Sequence, residues 1–290
     1  MHNQFDQASG IRNMKKTNPV RVIAITSGKG GVGKTNLSVN LGLALSEMGR
    51  RVALLDADMG LANVDVLLGL YPKFNLSHVL KGEKTLDEII VQGPSGLQVI
   101  PASSGLQHMS DLSTVEQAAI IRAFSDFNQD LDVLIVDTAA GISPGVVNFA
   151  RACQEIVVVV CDEPTSLTDA YAFIKLLNRD YALNRFNVLT NMVRSTRQGQ
   201  ALFQKLTRVT DRYLDVSLNF VGAIPYDDSL RKAVQQQNPV LASYPNCPAS
   251  LALKNAARQI NSWPIKTQAG GYLEFFVERM IQYGAHEDVA

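Results

Sequence analysis

The sequence has few of the residues that build secreted, metal-storing or membrane-spanning proteins. Its 290 residues include three cysteines, Cys153, Cys161 and Cys247. An odd count with no C-x-x-C pair and no Cys/His cluster argues against a disulfide framework and against a zinc site. Cys161 closes the apolar run 156–160 and reads as a small buried thiol. Residues 1–18 are polar and lack the apolar core of a secretory signal. No apolar run is long enough to cross a bilayer, so the expectation is a cytoplasmic protein with at most peripheral membrane contact. Net charge is also absent: 27 Lys and Arg balance 27 Asp and Glu. That removes any global pull toward nucleic acid, and no direct nucleic-acid binding is expected. The four histidines, His2, His78, His108 and His286, fall in no motif.

What is present is alternation. Short β-branched runs at 21–26, 51–55, 97–101, 133–137, 156–161, 186–190 and 219–223 read as strands. Helical patterns at 36–48, 113–127, 168–180, 197–213, 228–236 and 249–262 lie between them. This predicts an α/β fold: one domain over 19–263, with a mainly parallel sheet and helices on both faces. Ligands then belong at the carboxyl ends of the strands. Residues 1–18 read as a flexible segment and 264–271, Pro-Ile-Lys-Thr-Gln-Ala-Gly-Gly, as a linker. A short amphipathic helix at 272–283 and a tail at 284–290 follow.

Gly28-Lys29-Gly30-Gly31-Val32-Gly33-Lys34-Thr35 fits G-x-x-x-x-G-K-[ST] between a predicted strand and a predicted helix. Glycines there let backbone N–H groups close on phosphate, and the helix adds its positive end. Lys34 is expected to reach the β/γ-phosphates, and the Thr35 hydroxyl to hold Mg²⁺. Asn36 completes the nucleotide-binding stretch. Asp56 and Asp58 stand together at a strand end, where Asp56 is suited to organise water on Mg²⁺ and Asp58 to orient the attacking water. A second apolar strand ends in Asp137, the Walker B position, another candidate Mg²⁺ residue.

Lys29 is not needed to cradle phosphate in cis, since Lys34 does that. GKGGVGKT resembles the deviant P-loop of the MinD/ParA family, a group of P-loop NTPases with this fold. The resemblance implies an ATPase that dimerises around ATP and Mg²⁺, with Lys29 crossing the interface and contributing to catalysis. Asp56, Asp58 and Asn63 are similar to the family's switch I segment, and Asp58 takes the hydrolysis-critical place. Asp137-Thr138-Ala139-Ala140-Gly141 resembles switch II, with Ala139 where proline is usual. Asn191, and Pro225-Tyr226-Asp227 after the next strand, match the positions that line the adenine pocket. No Asn-Lys-x-Asp guanine reader occurs at 191–194. The segment around Glu163 and Asp169 resembles the family's dimer face, where those two position Lys29 or meet the partner copy.

The two ends point within the family. Asp6-Gln7-Ala8-Ser9-Gly10-Ile11-Arg12 is similar to the partner-activating motif of the flagellar, FlhG-type branch, where Asp6, Gln7, Ala8, Ile11 and Arg12 are the matching residues. That likeness implies control of flagellar number and placement, with an FlhF-type GTPase, the switch proteins FliM and FliN, and the FlrA/FleQ transcription activator as partners. Leu273, Phe276, Val277, Met280 and Ile281 keep one helical face, widened by Phe275. This segment suits an ATP-dependent peripheral contact with the inner face of the cell membrane, a partner protein or the domain's own groove. The alternatives within the family are a MinD-type division-site ATPase and a ParA-type DNA-partitioning ATPase. An iron–sulfur electron carrier is set aside, because no paired cysteines precede switch II.

Overall fold

The computed structural model describes residues 19–58, 63–101, 122–124, 127, 130–264 and 277–279. Eight strands form one sheet in the order β3-β4-β2-β5-β1-β6-β7-β8. They are β1 (Arg21–Ser27), β2 (Val52–Ala57), β3 (Val91–Gln92), β4 (Gln98–Ile100), β5 (Val133–Ala140), β6 (Glu155–Cys161), β7 (Arg185–Val193) and β8 (Ser217–Pro225). All pairings are parallel except β3 with β4. The two-residue β3 is an addition to the seven predicted strands.

β1 sits in the middle and is buried along its whole length. A strand covered on both faces reads as a continuous apolar run, which is why Val22-Ile23-Ala24-Ile25 carries no polar alternation. Ile23 and Ile25 pack with helices α1 (Lys34–Glu47) and, late in the chain, α10 (Pro248–Asn261). Val22 and Ala24 face the other layer, which holds α5 (Pro144–Ala152). α1 is buried nearly all round, the mark of a helix sandwiched between a sheet and a second helix. Leu253, Ala256 and Ile260 of α10 cover its outer side.

The helices between these are α2 (Val64–Leu68), α3 (Leu76–Leu80), α4 (Leu86–Ile89), α6 (Pro164–Tyr181), α7 (Thr196–Tyr213), α8 (Asp228–Gln235) and α9 (Val240–Ser243). α6 and α7 bury Phe173, Ile174, Leu202 and Leu206 against β6 and β7. The short helices α2, α3, α4 and α9, and α5, were not predicted. Of the helix expected at 113–127, residues 122–124 and 127 are described; 122–124 are helical and 127 is not.

Two points bear on the chain's ends. The Arg21 guanidinium is buried and donates to the Ile260 carbonyl at 3.0 Å and to the Trp263 carbonyl, fastening β1 to the end of α10. Val277, from the predicted C-terminal helix, is fully buried in the cluster with Val20, Val22 and Cys153. The other candidate contact residues of both ends lie outside the described residues: Asp6, Gln7, Ala8, Ile11, Arg12, Leu273, Phe275, Phe276, Met280 and Ile281. Among the described residues, no helix is long and apolar enough to cross a membrane.

Candidate functional site

The loop 28–33 leaves the carboxyl end of β1 and turns into α1. Gly33 is the N-cap, at φ 86°, and a Cβ there would stand 2.6 Å from Asn191 Nδ2. Gly28 is required by closeness: a Cβ would fall 2.3 Å from the Asp169 carbonyl carbon. The Gly33 turn directs the first N–H groups of α1 toward the loop, an anion-binding arrangement.

Lys34 follows and is buried. Burial lowers its pKa, while the nearby Asp137 and Asp58 charges oppose that shift. β5 runs on to Ala140, three residues past the expected strand end at Asp137; Asp137 is completely buried within it, and its Oδ1 accepts from Ser38 Oγ at 2.7 Å. Its other oxygen, Oδ2, has no partner within the chain. Burial pushes Asp137 up to about 6, against the pull of the Ser38 and Thr35 hydroxyls and of Lys34. An orphaned, buried carboxylate oxygen beside a threonine hydroxyl and a P-loop is a hard-oxygen environment that fits Mg²⁺. Among the described residues no cluster of three or more acidic, histidine or cysteine ligands occurs.

Asp56 lies beside Asp137 in register on β2. Its Oδ1 accepts from the Asp58 N–H at 3.2 Å, and its Oδ2 from the Asn63 and Val64 N–H groups at 3.2 and 3.3 Å. The carboxylate therefore closes the loop that carries Asp58, a role absent from the sequence reading. Burial, then the Asp137 charge, push it up to about 7.

Lys29 projects from the other side of the loop. Its Nζ meets Glu163, the N-cap of α6, and donates to Thr165 Oγ1 at 3.0 Å. The hydrogen bond to Glu163 raises its pKa, with a smaller contribution from Asp169. Within one chain, Lys29 is thus held in cis by a residue of the expected dimer face. Asp169 is brought there too, with its backbone packed on Gly28.

A cavity of about 240 Å³ opens beside Gly33, lined by Asn36, Asn191, Pro225, Tyr226 and Asp227. Asn191, Pro225, Tyr226 and Asp227 are the residues expected around a base, and Asn36 was expected in the nucleotide-binding stretch. Two of them also work elsewhere. Asn191 Nδ2 donates to the Val32 carbonyl at 2.8 Å, bracing the P-loop from β7. Asp227 accepts from the Ser229 N–H at 2.8 Å and the Ala249 N–H at 3.0 Å, capping α8 and α10 together. Burial raises its pKa, but those amides outweigh it and leave it low. Leu37, Met192, Leu230, Arg231 and Val234 also line it and were missed. The i, i+4 spacing of Leu230 and Val234 was the available signal.

A P-loop fed by the central strand, a buried lysine, and a buried aspartate on the neighbouring strand with an open oxygen define a nucleoside triphosphatase that binds nucleotide with Mg²⁺. Residues 18–261 match the family model described as ParA, NUBPL iron-transfer P-loop NTPase. The chain belongs to this ParA family and is a MinD/ParA-type ATPase. It is 58% identical over 275 residues to the antiactivator FleN of Pseudomonas aeruginosa, covering 95% of this chain and 98% of that protein. It is 32% identical to the flagellum site-determining protein YlxH of Helicobacter pylori, over 98% of this chain and 99% of that one. Among solved structures, the MinC:MinD cell division complex of Aquifex aeolicus superposes with a TM-score of 0.66 at 28% identity, covering 85% of this chain and 97% of that one.

Proposed function

We propose that this protein is an ATP-driven dimerising switch that limits flagellar number and placement. The observation that carries it is Lys29: a second P-loop lysine, at the rim of the phosphate cradle, with its ammonium outside the cradle on Glu163. Such a lysine has no task in a monomer's phosphate site and suits the nucleotide of a second copy. Lys34 and the loop amides bind the phosphates, Thr35 and Asp137 hold Mg²⁺, and Asp58 orients the attacking water. Mg²⁺ supplies neutralisation of phosphate charge. Phosphoryl transfer needs this positioning and charge balance more than covalent chemistry.

Similarity to an antiactivator and to a flagellum site-determining protein supports the cellular role. The expected partners are an FlhF-type GTPase through residues 1–18, the FliM/FliN switch proteins and the FlrA/FleQ activator. The protein works in the cytoplasm, and its C-terminal helix docks on the domain through Val277 without ATP and reaches the membrane with it. Light scattering with ATP on the Asp58→Ala protein tests the switch; a monomer there overturns it. Pull-downs with and without residues 1–18 test the partner assignment, which fails if full-length protein retains no flagellar GTPase.

One observation favours the DNA-partitioning alternative. Arg197, Lys205, Arg208 and Arg212 are exposed and keep one face of α7 by helical spacing. A linear reading shows no basic run there. Retention of random duplex DNA in a gel shift, lost at raised salt, would support that reading.

A further inference from the structure

α1 is buried nearly all round, yet it carries two asparagines one turn apart. Asn40 is fully buried and Asn36 nearly so. A buried amide is costly without partners, and its partners decide which end of it points where. The order starts at α9. The Leu241 N–H, in the first turn of that helix, donates to Asn40 Oδ1 at 3.2 Å. A backbone N–H can only donate, so the oxygen of Asn40 must face it. That turns Asn40 Nδ2 toward the preceding turn of α1. There it donates to the Asn36 carbonyl at 2.8 Å and to Asn36 Oδ1 at 2.9 Å. The side-chain oxygen of Asn36 is therefore taken, and its Nδ2 is the end left over. No described residue accepts from that Nδ2.

Asn36 follows the Lys34-Thr35 pair and borders the opening beside Gly33. A phosphate oxygen only accepts hydrogen bonds, so an amide that presents nitrogen attracts it and one that presents oxygen repels it. We propose that Asn40 is a positioning residue for the nucleotide: it holds the Asn36 amide with its nitrogen outward, as a donor to the phosphate chain, and takes its own orientation from α9. This rests on the reading that Asn36 belongs to the nucleotide-binding stretch. Asn40 touches no nucleotide itself, and its effect passes through Asn36.

Titration calorimetry with Mg²⁺ and ADP tests it on the wild type, Asn36→Ala, Asn40→Leu and the double variant, with thermal melting beside it. Asn36→Ala should raise the Kd roughly tenfold, as for loss of a hydrogen bond to a charged group. Asn40→Leu keeps bulk but frees the Asn36 amide to turn, and should raise the Kd about fivefold. The double variant should bind no more weakly than Asn36→Ala alone, although Asn40→Leu lowers the melting temperature in both backgrounds. A hydroxyl turns to donate without outside help, so Asn36→Thr and Asn36→Thr/Asn40→Leu should bind ADP equally. If Asn40→Leu does not fold, Asn40→Ala carries the same comparisons. Unchanged ADP affinity in the folded Asn40 variant overturns the inference. So does a loss that adds in full to that of Asn36→Ala, which would mark Asn40 as a packing residue only. A wild type that binds ADP no better than Asn36→Ala overturns the nucleotide role of Asn36, and this inference with it.

Discussion

Lys29 and Glu163 lie 134 residues apart and are joined by an ion pair across the rim of the P-loop. The pair is largely solvent-exposed, so it is a weak tie that salt screens and a partner can replace. On the proposed dimerising role, Glu163 holds the lysine in cis and would have to release it before it could reach a second copy.

Lys29→Ala should abolish the ATP-dependent dimer while nucleotide binding is partly retained. Glu163→Gln should loosen the tie and lower the ATP concentration needed for dimerisation only slightly, as expected of a solvent-exposed pair. Light scattering across an ATP series reads both. A dimer in the Lys29→Ala protein would remove the lysine from the interface.

Asp58→Ala should still bind ATP and stay dimeric, because orienting the attacking water is separate from cradling phosphate. Phosphate release should fall by about a hundredfold or more, in the range set by losing a general-base or water-orienting group. Normal turnover in that variant would exclude Asp58 as the positioning group.

Asp56→Asn should separate stability from turnover. Asp56 has a folded-state pKa of about 7 against an ordinary 3.8. Between those values the unfolded chain gives up its proton first, so the magnesium-free, nucleotide-free protein should lose stability as pH rises from about 4 to about 7. The asparagine variant should lack that part of the slope and melt a few degrees higher at pH 8. Its amide nitrogen cannot accept from Asn63 and Val64, so kcat should fall as the Asp58 loop loosens. If Mg²⁺ affinity falls and kcat holds at saturating Mg²⁺, Asp56 serves the metal rather than the loop.

Gly28→Ala places a methyl group against the backbone of Asp169. The contact is with a carbonyl, which cannot rotate away, so α6 must shift. Destabilisation of about 1–3 kcal/mol is expected, as for overpacking in a core. Urea titration measures it, and a fully stable variant would show that α6 yields freely.

The parts of this architecture that rest on residues close in sequence were legible. The P-loop reads as a string because its chemistry needs glycines, a lysine and a threonine at fixed offsets. The buried strands read because a parallel sheet tolerates few polar residues. The helices α2, α3, α4 and α9 span one turn or slightly more, too short to show a 3.6-residue period. α5 was hidden by Gly145 and Asn148, although Pro144 at its first position was a start signal. The partners of Asp56 and Asn191 were beyond reach for another reason. One depends on a loop doubling back seven residues, the other on β7 lying beside the P-loop. Asp227 was read as a pocket residue only, because α10's need for a cap shows itself only once the two helix ends meet.

Arg21 gives the domain an unusual mechanical joint. One guanidinium grips the carbonyls that end α10, and its own strand carries the P-loop at the far end, about 23 Å away for seven residues. A pull applied after Trp263, by whatever the C-terminal segment holds, is delivered to β1 rather than lost in a loose end. The end of α10 and the strand that leads into the P-loop are therefore one joined unit, so a displacement of either would be carried to the other.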